Sequence, residues 1–294
     1  MNAAPSPRTS LWVLRLTTVA TAALVGMALS SAADGRAGGA GLPATIAWWL
    51  VVAISVVALI VPGALGLSAV RMVAPLGATA AGAALVAGAD AAVGVPALAL
   101  GLVSVAVAFS AEAGEAMVQG AAYGDEHRFP LRIPAAFLLP VAVSWLLWAG
   151  AGTAGVLLLG GRVWVPGGLL VALAAAVAWP LLGRLHRFAR RWLVVVPAGV
   201  VVHDHVVLAE TLMVPKANVR RCGLALADTQ AADLTGPAAG HAIEITVGEM
   251  VTPLFAVTRA QPKGRAIHAA AFLVAPSRPG RALRALAAAK LPVA

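Results

Sequence analysis

Two carboxylates three residues apart, Glu112 and Glu115, open the most polar stretch in an otherwise apolar half of this 294-residue chain. On a helix that spacing puts both on one face. Such a pair can hold an ion or a proton, or divide the work of a general acid and base. Beyond Gly120 comes Tyr123-Gly-Asp-Glu-His-Arg-Phe-Pro-Leu-Arg132, so Asp125, Glu126, Arg128 and Arg132 complete a candidate polar site. The competing reading is a solvated loop whose carboxylates pair with Arg128, Arg132 or a basic cluster further along the chain. No metal or hydrolase spacing accompanies the acids.

Other motifs carry less. Gly150-Ala-Gly-Thr-Ala-Gly155 has the G-x-G-x-x-G spacing, but it lies inside an apolar run rather than between a strand and a helix, as a dinucleotide loop requires. Close helix packing is the better account. His203-Asp-His205 puts two imidazoles two residues apart, whereas a zinc site needs a third ligand, and His241, His268 and Cys222 stand at no recognisable spacing. A polar turn between two apolar strands explains it better. There is no nucleophile elbow, Walker loop or H-E-x-x-H, so neither a catalytic set nor a metal or cofactor site is expected.

The basic residues fall into two groups. Arg184, Arg187, Arg190 and Arg191 form a seam directly after an apolar run, which the positive-inside rule assigns to the cytoplasmic side. Arg278, Arg281 and Arg284 repeat every three residues near the C-terminus. Both groups suit anionic headgroups or an acidic partner, and the second also suits a plain solvated face.

The elements that position these residues are mostly apolar helices. The chain is 61% hydrophobic and 11% charged, with mean hydropathy +0.90, whereas soluble proteins average about 25% charged. A bilayer core about 30 Å thick takes about 20 apolar helical residues. Six spans meet that length: 11–33, 44–62, 69–88, 92–111, 135–159 and 166–183. Asp90, flanked by Gly88 and Gly94, belongs in a reversal between the third and fourth. Ala80, Ala84 and Gly88 follow the small-xxx-small spacing of close helix pairs. With both ends inside, nine arginines (Arg8, Arg15, Arg71, Arg128, Arg132 and the seam) lie on the cytoplasmic side, against Arg36 and Arg162 outside. Trp48, Trp49, Trp164 and Trp179 stand near span ends, as an aromatic belt does. Arg8 and Arg15, an apolar run and Ser30-Ser-Ala-Ala-Asp34 also fit a cleaved secretory signal. Cleavage leaves the side of the other spans unchanged.

After the seam the pattern shortens. Residues 1–183 carry a net charge of +1 and residues 184–294 a net of +8. Trp192–Val196, Gly199–His203 and Val206–Val214 are β-branched runs broken by turn residues, followed by a less regular stretch through Gly240. Further strand candidates lie at 241–247, 254–259 and 267–275. A helix then runs from Ser277 to Lys290, with Ser277 as cap and Pro279 in its first turn. One cysteine, Cys222, excludes an internal disulfide. Lysine supplies three of 21 basic residues, and alanine, glycine and valine are abundant, the usage of a high-GC bacterium such as an actinobacterium.

The strand series from Trp192 to Val214, and Ala275-Pro-Ser-Arg-Pro-Gly280 leading into a helix, resemble the bacterial pleckstrin-homology-like (PH-like) domains of multi-pass membrane proteins. That resemblance covers the last third of the chain and implies binding or assembly rather than catalysis.

The expectation is therefore a six-span α-helical membrane bundle (1–183), a basic seam (184–191) and a β-rich, PH-like cytoplasmic domain (192–294) ending in a helix. It sits in the plasma membrane with both termini inside. Its role is that of a membrane-anchored interaction or regulatory protein, with the bilayer, anionic headgroups or a cytoplasmic protein as partners. No nucleic-acid pattern is present. The alternative is a transporter or membrane-embedded enzyme centred on the acidic stretch.

Overall fold

The computed structural model describes residues 7–34, 41–256 and 264–294. Arg36, the Arg8 side chain and the end of the strand candidate 254–259 lie outside them. The chain forms two compact units, one of Met1–Met117 with Val141–Leu185 and one of Val118–Pro140 with His186–Ala294.

The first unit is helical: α1 (Pro7–Ala33), α2 (Leu42–Ile60), α3 (Ala64–Val86), α4 (Ala91–Phe109), the short α5 (Ala111–Gln119), α6 (Leu138–Gly160) and α7 (Trp164–Ala189). Six of these helices are long and apolar enough to cross a membrane. The α3–α4 reversal forms as its residues dictate. Gly88 takes φ 90°, the Asp90 carboxylate accepts from the Ala92 amide, and the Asp90 amide donates to Ser31 Oγ. Helices approach where side chains are smallest. Ala81, Ala84 and Ala97 are buried, and a Cβ on Gly101 would stand 2.9 Å from the Ala78 backbone. Arg184 and Arg187 ride on the last turns of α7, where cations oppose the helix dipole.

The second unit is a sheet-rich fold. β1 (His127–Pro130), β2 (Trp192–Val196), β3 (Gly199–His203) and β4 (Leu212–Pro215) make one antiparallel sheet in that order. β5 (Val219–Leu224), β6 (Ala232–Asp233), β7 (Ile243–Val251) and β10 (Ala269–Val274) make a second, ordered β5-β7-β10-β6. β8 (Leu254–Phe255) and β9 (Arg265–Ala266) form a small ladder. Between the sheets lie Phe129, Leu193, Val195, Val200, Val202, Cys222, Ile243, Ile245 and Phe272, and α8 (Pro279–Ala288) adds Ala282 and Leu286.

Three differences from the sequence reading have physical causes. Residues 127–130 are a strand of the β unit, because Phe129 and Leu131 alternate with more exposed neighbours and enter its core. Residues 206–211 are not strand, because the Asp204 carboxylate accepts from the Val206 and Val207 amides and bends the chain into a turn. The stretch after Val214 includes β5, whose two arginines mask its alternation.

β1 and β2 are far apart in sequence, and the whole α6–α7 hairpin separates them. They pair in register from His127–Val195 to Pro130–Trp192. The Phe137 and Phe188 rings meet at 5.3 Å at the base of the hairpin.

Candidate functional site

The six residues of the expected polar site divide between the units. Glu112 and Glu115 lie on α5 in the helical unit, where Glu115 is only 4% exposed. A Cβ on the intervening Gly114 would stand 2.8 Å from the Arg71 guanidinium, which itself donates to the Ala108 carbonyl. The other four belong to the β unit. Asp125 is exposed. Glu126 pairs with Arg128, and Gln119 braces both, donating to the Glu126 carbonyl and accepting from the Arg128 amide. Arg132 donates to the carbonyls of Ala239 and His241. Gly240, with φ 92°, sits so close that a Cβ would collide with that guanidinium.

The basic seam also divides. Arg184, Arg187 and Arg190 are exposed. Arg191 is the exception: it is 0% exposed, so it is withdrawn from that surface. Its Nε and Nη2 donate to the two oxygens of Asp204, each at 2.8 Å. Nη1 donates to the Arg132 carbonyl at 2.6 Å and Nη2 also to that of Thr235 at 3.1 Å. A buried guanidinium is tolerable only with a matched carboxylate and its remaining donors satisfied, and both conditions are met. The cluster joins the end of β1, the start of β2, the turn after β3 and the Thr235 loop. On α8, Arg284 is exposed while Arg278 and Arg281 are half-buried.

A second cluster has no local signal in the sequence, where Trp192 reads only as the first residue of a strand. Trp192 and His203 face each other across β2 and β3, and their rings stack at 5.0 Å and 14°. The Arg128 guanidinium lies over the Trp192 ring at 5.2 Å. His205 meets His203 edge to face at 4.4 Å, and His203 Nδ1 is 3.1 Å from Thr211 Oγ1. Burial first, then the nearby His205, Arg190 and Arg128, hold His203 down to about 4, against the opposing pull of Asp204. Arg128 Nε and His203 Nε2 are enclosed and have no hydrogen-bond partner among the described residues. The sequence signal was the His-Asp-His triplet itself. Its aspartate turns inward to Arg191, leaving the His203 ring half-buried and the His205 ring exposed.

Among the described residues no three His, Cys, Asp or Glu side chains converge as metal ligands. The Gly150–Gly155 motif lies within α6, where a Cβ on Gly155 would stand 3.0 Å from the Gly167 carbonyl on α7. The helical unit holds a cavity of about 800 Å³ bounded by α1, α2, α3, α6 and α7. Its walls are mainly alanine and glycine with Trp48 and Trp148, and no ionisable side chain lines it. Comparison with protein-family models, curated proteins and solved structures finds no match to this chain.

Proposed function

We propose that this is a multi-pass membrane protein with both ends in the cytoplasm, whose basic β unit is a PH-like binding module held at the inner surface. There it engages anionic headgroups or a cytoplasmic protein and so serves in interaction or regulation rather than catalysis. The observation that carries this reading is the β1–β2 pairing across the α6–α7 hairpin. Two strands that pair must lie on one side of a membrane, so a spanning hairpin puts both its ends, and the module, on that side. The arginine asymmetry makes that side the inner one. The module is thereby tethered at two points, which raises its effective concentration at the surface without any strong contact. Net charge of +8 over residues 184–294 supplies attraction to acidic surfaces.

The test uses the full chain in detergent micelles, since residues 192–294 alone lack β1 and would expose the core edge it covers. Dioctanoyl-phosphatidylglycerol is expected to raise the unfolding temperature more than dioctanoyl-phosphatidylcholine, with the difference shrinking as salt rises. Equal responses at low salt would overturn the headgroup reading and leave the protein partner as the ligand to seek.

A further inference from the structure

The cluster around Trp192 is built like a receptor for a small anion. Its cationic and imidazole groups come from three separate segments: Arg128 from β1, Arg190 just after α7, and His205 from the turn after β3. Two carboxylates lie nearby and both are engaged. Glu126 is paired with Arg128, and Asp204 faces inward to Arg191. Arg190 makes no ion pair among the described residues and is exposed, as is His205. Enclosed polar atoms normally find partners. Here two nitrogens on the two flanks of one indole ring, Arg128 Nε and His203 Nε2, have none. After burial, the largest cause, Arg190, His205 and Arg128 press the His203 value down while Asp204 raises it, so these groups lie within electrostatic reach of one ring. Trp192 stands three residues past the last residue of α7, and indole rings favour the level of lipid headgroups.

We infer that Arg128, Arg190, His203 and His205, arranged about Trp192, form a binding site for a phosphate oxyanion, supplied by an anionic lipid headgroup at the inner surface. This deepens the headgroup reading above and rests on it. Arg190 supplies the charge and His205 an exposed ring nitrogen, while the Trp192–His203 stack fixes the direction of the His203 ring nitrogens. Charge-assisted hydrogen bonds to phosphate are the strong class of such contacts. The Arg191–Asp204 pair sets the frame, because it anchors the backbone on which Trp192 and His205 stand.

The experiment titrates the full-length protein in micelles with dioctanoyl-phosphatidylglycerol, dioctanoyl-phosphatidylcholine and inorganic phosphate, following retained lipid by native mass spectrometry and the histidine rings by NMR. The double variant Arg190→Ser/His205→Ser should bind the anionic lipid about tenfold more weakly, since it loses a charged hydrogen-bonding group. Both positions are exposed, so the fold is kept. In the parent protein the lipid should draw the His203 titration upward from about 4, which a remote site would not do. A triple variant, Arg278→Ser/Arg281→Ser/Arg284→Ser, separates the two claims. If it loses affinity while Arg190→Ser/His205→Ser keeps it, the headgroup reading stands and this site is overturned. If the parent protein fails to distinguish the two lipids, the reading itself is overturned and the site with it. Inorganic phosphate binding as tightly as the lipid would support the site and overturn the lipid source.

Discussion

At the scale of single residues, the interior of the β unit makes strict demands. Arg191 is fully enclosed and gives Asp204 a bidentate partner. Arg191→Leu should therefore destabilise the protein by about 3–5 kcal/mol, mostly because Asp204 is left as a buried unpaired charge. Adding Asp204→Asn should return part of that loss, and a double-mutant cycle of chemical denaturation measures it. Burial pushes the Cys222 thiol up to about 11. Native protein at pH 8 should accordingly resist maleimide, with labelling following global unfolding. Since the thiol's folded value lies above its unfolded one, that contribution to stability is present below about pH 9 and is lost as pH rises towards 11. His203 works in the other direction. Its folded value, about 4, lies below the ordinary 6.5. Stability from the neutral ring is complete above pH 6.5 and falls as pH drops towards 4, because the unfolded chain takes up the proton first. His203→Gln should flatten that part of a pH–stability curve.

At the scale of elements, much was legible in the sequence. The six long helices follow from run length alone, and Asp90 with Gly88 marked the α3–α4 reversal because a capping carboxylate and a left-handed glycine are local signals. What escaped were features whose partner is distant in the chain. β1 is four residues long and reads as loop until β2 is there to pair with it. Arg191 looks identical to Arg190 in sequence, yet one is exposed and the other sealed, since only the position of Asp204 in space separates them. The glycines of α6 yield a discriminating test. Gly155→Val meets the Gly167 carbonyl and the Val171 backbone and should destabilise the hairpin by about 1–3 kcal/mol. Gly150, with nothing within 4 Å of its built Cβ, should accept alanine freely. Thermal unfolding in detergent compares them. A nucleotide loop would require the first glycine as much as the last.

At the scale of the whole molecule, the topology can be tested against a quiet background, because Cys222 is buried. With an impermeant maleimide on intact cells, Asp34→Cys should label and Tyr123→Cys, at a position 90% exposed, should not. Disrupting the membrane should reveal the second. The reverse pattern would invert the orientation, and labelling of both would deny that the helices between them span. The candidate site is half legible at this scale: charge alone marks Arg128 and Arg190, whereas the spacing of His203 and His205 suggests only a metal pair. What joined them was Trp192, whose role depends on a strand pairing that no local pattern announces. That pairing also governs how the protein is made. β1 leaves the ribosome before α6 and α7, and β2 after them, so the sheet cannot close until the hairpin has been synthesised, on the order of several seconds later. On the proposed topology, a hairpin that entered the bilayer only halfway would leave β1 and β2 on opposite sides, and the sheet could not close. Completion of the sheet would therefore report that the hairpin has crossed, and Phe129 and Leu131, buried in the finished unit, are the apolar residues left uncovered when it has not.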